Sequence, residues 1–168
     1  IALAITGALY GWGLNYNGQV GGQTGILGTS WKKILAGSSH VVAIRSNSTL
    51  WTWGLNSSGQ IGDGTTANRS SPVQIGSSSW TQIAAGDYHT FALRYLDGGL
   101  FTWGKNDQGQ LGSATTTNRS SPVQVGTSSW SQVAAGGSHV VGIKIDGTLW
   151  GWGSNYRNQL GTPIATYD

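Results

Sequence analysis

The chain has 168 residues, of which only 9% are charged, with six acidic residues, no Cys and no Met. That length suits one ordinary domain, and the composition leaves little material for acid–base chemistry and none for thiolate chemistry or a disulfide scaffold. The net charge of +3 comes from nine Lys and Arg spread along the chain, with only Lys32 and Lys33 adjacent, so no dense basic patch for nucleic acid is expected.

In chain order, the first stretch, IALAI, is apolar. It is too short to span a membrane and lacks a charged flank, so it does not read as a signal peptide. The absence of Met means that Ile1 is not a translation start, and the chain is expected to be processed or part of something longer. LYGWGLNYNGQVG follows from Leu9, and its pattern returns as LWTWGLNSSGQIG from Leu50, LFTWGKNDQGQLG from Leu100 and LWGWGSNYRNQLG from Leu149. Trp12, Trp53, Trp103 and Trp152 mark the same point in each, at intervals of 41, 50 and 49 residues. Trp31, Trp80 and Trp130 keep the same spacing, as do His40, His89 and His139, and NRSSPVQ occurs from Asn68 and again from Asn118. Four markers in step establish a tandem repeat of about fifty residues. The short first interval has a visible cause: GQTGILGTSW follows Gly21 where the next unit has DGTTANRSSPVQIGSSSW.

Within one unit, 72–75 (PVQI), 80–84 (WTQIA), 89–93 (HTFAL) and 100–103 (LFTW) read as short strands. They are rich in aromatic and β-branched residues and are bounded by Gly, Asn, Asp and Ser. No segment carries a 3.6-residue apolar period over ten residues, so essentially no helix is expected. Four short strands per unit predict an all-β chain of β-propeller blades, each of four antiparallel strands. The expected units are 1–30 (incomplete, with the shortened loop), 31–79, 80–129 and 130–168 (incomplete), in a single array. The glycines, Gly54, Gly59, Gly62 and Gly86 among them, are expected where positive φ or close approach excludes other residues. Ala84, Ala85, Ala134 and Ala135 are expected where the blades converge, and the seven marker tryptophans in the wider space between blades.

The succession WTWGxNxxGQxG, SSPVQxG, WxQxAAGxxH and DG, which covers nearly the whole chain, resembles the regulator-of-chromosome-condensation repeat, of bacterial or viral type. The resemblance implies a seven-bladed ring, of which 168 residues at about 49 per unit supply some 3.4 repeats. Terminal blades of such an arc expose sheet faces and edges. They are expected to be covered by further repeats, by other copies of the chain or by a different protein partner.

The repeated histidines are expected to be structural, each fixing its own blade by a hydrogen bond, because they recur with the blade and no Cys or Glu completes a ligand set. No metal site, cofactor or catalytic residue is expected. The family's plant UV-B photoreceptor carries Gly-Trp-Arg-His-Thr, whereas Gly86-Asp87-Tyr88-His89-Thr90 lacks the Trp-Arg pair. The founding member exchanges nucleotide on a small GTPase with acidic loop residues and an inserted wedge, and the complete repeats here have no insertion. No G-x-S-x-G occurs. Asn47, Asn56, Asn68 and Asn118 fit the glycosylation pattern, but the crowding of Asn and Ser into turns is the favoured account of them unless the source secretes through a glycosylating pathway.

Positions identical in every unit belong to the fold, and positions that vary are free for binding. On that ground Tyr16, Asp87, Tyr88, Asp107, Tyr156 and Arg157 are the candidate binding residues, of types several of which are enriched at interfaces. The sequence therefore reads as a non-catalytic propeller serving as a structural or recognition module. Its sparse charge and Ser/Thr/Asn loops favour the exterior of a virion, cell surface or appendage, an extracellular or virion-associated setting. An intracellular adaptor or exchange-type propeller, and a secreted protein inhibitor, remain as alternatives.

Overall fold

A computed structural model describes residues 1–21, 25–26 and 28–161. Thirteen strands and no helix occur among them: β1 (Ala2–Leu3), β2 (Leu9–Gly11), β3 (Gly25–Ile26), β4 (Trp31–Ala36), β5 (His40–Arg45), β6 (Leu50–Gly54), β7 (Arg69–Gln74), β8 (Trp80–Ala85), β9 (His89–Arg94), β10 (Gly99–Gly104), β11 (Arg119–Ala135), β12 (His139–Lys144) and β13 (Leu149–Gly153). The shortened loop at 22–24 and the end of the last unit at 162–168 lie outside the described residues.

The strands form an arc of blades. β4-β5-β6-β7 is a complete four-stranded antiparallel blade, and β1-β2-β3 is a three-stranded one before it. β11 belongs to two blades. Its first part pairs with β10 (Thr102↔Val123, Gly104↔Arg119), completing β8-β9-β10, and its second part pairs with β12 (Val133↔Gly142) in the last blade. The expected unit boundary at residue 129/130 thus falls inside one continuous strand.

Three of the four strands of a unit lie where the alternation placed them, longer by a residue or two. The fourth is corrected: it spans Arg69–Gln74 rather than 72–75. Arg69 pairs with Gly54 across a bulge, so residues that read as polar loop are drawn into the ladder. Pro72 is tolerated because β7 is an outer edge strand, where its missing N–H removes no ladder bond.

The core lies between blades. Val42, Ile44, Leu50 and Ile61 of one complete blade pack with Trp80, Ile83, Ala92 and Trp103 of the next. Trp53, Trp103 and Trp152 each reach back to the preceding blade, donating through Nε1 to the carbonyls of Gln19, Gln60 and Gln110 at 3.1, 2.9 and 3.0 Å. Each such ring buries on the order of 150–250 Å². Trp12 departs from the expectation. It is 60% exposed, because no described residue precedes its blade to supply that carbonyl and cover.

The innermost strands carry the alanine pairs. Ala84 is buried, while Ala134 of the last blade is exposed. Along the axis Lys33 Nζ donates to the Thr81 carbonyl at 2.7 Å, and Gln82, its counterpart one blade later, donates to that of Ser131 at 2.7 Å. Gly86 fits this convergence for a steric reason: a Cβ there would lie 2.1 Å from His89 Cε1 and 2.6 Å from the Gly136 carbonyl oxygen.

Candidate functional site

The ladder registers decide which loops share a face. His40 pairs with Gly54, His89 with Gly104 and His139 with Gly153. The loop before each histidine and the loop after each glycine therefore leave the same end of the blade. Backbone bonds tie the two together: Leu55 N–H to Ser39, Lys105 N–H to Tyr88 and Ser154 N–H to Ser138, at 2.8–2.9 Å. All six candidate residues consequently lie on one face of the arc, although they are scattered over 142 positions of sequence, from Tyr16 to Arg157.

The loops are rigid because the repeat's invariant Asn and Gln turn inward. Asn56 Oδ1 accepts from Ile61 N–H at 2.9 Å, and its Nδ2 donates to the carbonyls of Thr65 and Ala67. Asn106 does the same with Leu111, Thr115 and Thr117. Asn15 and Asn155 repeat the first bond, to Val20 and Leu160. Gln19, Gln60, Gln110 and Gln159 each accept through Oε1 from the N–H two residues earlier. Asn56, Gln60, Asn106 and Gln110 are buried. Sequence reasoning missed these residues as the framework of the face, although their identity in all four units was the available signal.

The variable positions are the tips between them. Tyr16 and Tyr156 are 89% and 86% exposed, and Arg157 is exposed beside Tyr156. Three other residues meet in one blade: Lys105 Nζ lies 2.9 Å from Asp107 Oδ2 and 5.8 Å from the Tyr88 ring centroid. The bond from Lys105 holds the Asp107 carboxyl below its ordinary range. Asp87 sits nearer the axis, where its N–H donates to the Gly137 carbonyl and its own carbonyl accepts from the Ser38 N–H and hydroxyl. The structure thus groups Tyr88 and Asp107, places Asp87 beside them through the chain, and leaves Tyr16 and Tyr156 on other blades. The opposite face has tight turns and exposed apolar residues that the sequence reading did not single out, Tyr95, Leu96 and Ile145.

The histidines are corrected in one respect: the ring hydrogen bond of His40 goes to the next blade, not to its own. His40 Nε2 lies 2.9 Å from Thr90 Oγ1, and Thr90 donates its one hydroxyl proton to the Gln60 carbonyl at 2.9 Å. The hydroxyl must then accept, so Nε2 of His40 carries a proton. Burial pushes its pKa down to about 4. His89 is fully buried, and neither ring nitrogen has a partner. Val140 stands where the earlier blade has Thr90. Burial, with smaller contributions from His40 and His139, lowers the His89 pKa to about 3. His40 thus joins two blades; among the described residues no cluster of three His, Cys, Asp or Glu is placed to hold a metal.

Two sequence models of the same description, "Regulator of chromosome condensation (RCC1) repeat", match the chain. One matches residues 47–93 and 97–143, the other 31–60, 80–110 and 130–159. No curated protein sequence matches significantly. Among solved structures the chain is similar to yeast RCC1 (Prp20) in its complex with Kap60, at 23% identity and a TM-score of 0.78, over 89% of this chain and 40% of that one. It is also similar to Prp20p from Saccharomyces cerevisiae, a structure described together with its binding to Gsp1p and histones, at 24% and 0.73 over 84% and 40%. Human WBSCR16 is similar at 24% and 0.73 over 83% and 41%. At these identities the likeness establishes the fold, and the chain spans about two fifths of the length of these relatives.

Proposed function

Because the chain belongs to the regulator of chromosome condensation (RCC1) repeat family, we propose that it is a non-catalytic recognition module that binds a protein through the face built by its N-x-x-G-Q and G-x-x-H loops. One observation carries this reading: the residues that differ between repeats stand exposed on loops whose frame is pinned by buried Asn and Gln. A rigid scaffold presenting variable aromatic and charged tips is how binding loops reach affinity without paying for their own ordering. Tyr88, Lys105 and Asp107 form its centre, with Tyr16, Tyr156 and Arg157 toward the two ends.

A photo-crosslinking side chain at position 88, compared with one at position 95 on the opposite face, tests the reading in the native source. Crosslinks to one protein from position 88 alone support it. Equal yields from both positions, or crosslinks from position 95 only, sink it.

The setting is a separate matter. The yeast relative, whose structure is described with Gsp1p and histones, supports an intracellular adaptor or exchange-type propeller. The sparse charge and polar loops support the exterior of a virion, cell surface or appendage. Fractionation of the source decides between them: a purely cytosolic chain removes the exterior reading.

A further inference from the structure

Loops 63–69 and 113–119 occupy the same place in the two complete blades and read DGTTANR and SATTTNR. In the first, the Asp63 carboxylate is held on every side. Oδ1 accepts from the Thr65 N–H at 3.0 Å and from the Thr65 hydroxyl at 2.7 Å, and Oδ2 accepts from Arg69 Nε at 2.5 Å and pairs with Nη2. In the second, the arginine and threonine are kept but the acid is not. Arg119 starts its strand in the same register as Arg69, opposite Gly104 as Arg69 is opposite Gly54. Arg119 Nε is buried and has no hydrogen-bond partner. Among the described residues Ser113 Oγ reaches only Thr115 Oγ1, at 3.2 Å, and the Asn106 amide, at 3.4 Å. A buried guanidinium N–H left unpaired is costly, and among the described residues no hydrogen-bond partner relieves it.

A second departure falls at the adjacent residue. Gly64 has φ +83°, and Ala114 takes its place at φ 55°, a left-handed conformation that an alanine adopts only under strain. The loop therefore keeps the carboxylate-holding shape although its own carboxylate is gone. Thr115 and Ala114 are exposed and Ser113 and Arg119 half-buried, so the rim of the cradle meets solvent while Arg119 Nε lies beneath it.

We propose that Ser113, Thr115 and Arg119 form a carboxylate-binding site, which takes from outside the chain the group that Asp63 supplies within the preceding blade. Arginine suits this role because its planar fork pairs with both oxygens of a carboxylate. The site lies on the loop that also carries Asp107, at the outer side of the binding face. It rests on the reading of that face only for the source of the carboxylate, which is either a free small acid or an Asp or Glu side chain of the partner.

The test is an NMR titration of the arginine Nε–H resonances in the whole chain, replacing chloride by acetate at constant ionic strength. The Arg119 signal is expected to move saturably and at least several-fold more than that of Arg69, whose place is already filled. The S113D variant, which copies the preceding blade, is expected to abolish the response. A shift no larger at Arg119 than at Arg69, or an undiminished response in S113D, overturns the site. A capped peptide containing Asp, run against its Asn counterpart, identifies the source. A response to acetate and to the Asp peptide, but not to the Asn peptide, supports a protein carboxylate, and a response to acetate without one to the Asp peptide supports a free acid. Because the crosslinking at position 88 does not involve Arg119, failure here leaves the binding face standing, and the reverse holds as well.

Discussion

The two complete blades and the first and last ones, which have three strands each among the described residues, are built from the same repeat, yet equivalent residues have different surroundings. Leu50 and Leu100 are fully buried, and Leu149 is 68% exposed. Trp53 and Trp103 are fully buried, and Trp12 is not. A blade cannot bury its own faces, since a four-stranded sheet has two and each needs a neighbour. The same side chain is therefore core or surface according to what stands beside it, and its energetic weight changes with it.

The sharpest way to break this comparison is to remove equivalent aromatics. In the 168-residue chain, Trp103→Ala is expected to lower stability by about 3–5 kcal/mol, and Trp12→Ala by less than about 0.5 kcal/mol. Denaturant titration of both measures the contrast, and similar losses would contradict it. Leu100→Ala against Leu149→Ala repeats the experiment with a smaller probe, at about 2–5 kcal/mol for the buried leucine.

Acid probes the interfaces between blades. His40 and His89 are neutral when folded, with pKa values lowered to about 4 and about 3 from an ordinary 6.5. A depressed folded pKa means that the unfolded chain binds more protons, so stability is intact above pH 6.5 and declines as pH falls toward 4. The slope approaches about 1.4 kcal/mol per pH unit per histidine, with His89 contributing further down to about pH 3. A flat stability profile between pH 6.5 and 4 would remove both histidines from the interface.

A gain of function sharpens the contrast between neighbouring interfaces. Val140→Thr gives His89 the hydroxyl that Thr90 gives His40, and a route onward to the Gln110 carbonyl. It is expected to add about 1 kcal/mol, read from the same denaturant curves. No gain would mean that His89 does not face that position. The smallest effect belongs to the exposed axial ladder: Lys33→Ala, which deletes one solvent-accessible bond to Thr81, should change stability by less than about 0.5 kcal/mol.

Much of this was legible in advance, and the reasons differ by residue. Trp80, His89 and Gly104 recur in step, so a repeat was visible as spacing alone. Strand identity followed from alternation at 80–84 and 89–93, whereas Arg69–Ser71 read as loop because Ser and Arg carry no strand signal and only the Gly54 ladder recruits them. Asn56 and Gln60 were seen as repeated letters, but their burial depends on a loop closing around them. The pairing of His40 with Thr90, fifty residues apart, has no local signature at all.

By itself the sequence determined the repeat, the all-β class, the family and the list of residues free to vary, because period and composition are properties of the chain read in order. Only the tertiary structure decided that Tyr16, Tyr88, Asp107 and Arg157 share one face, that the histidine of one blade answers to the threonine of the next, and that Arg119 lacks the carboxylate Arg69 has. Each of these depends on strand register or on the contact of one blade with another, and neither is encoded within a single repeat.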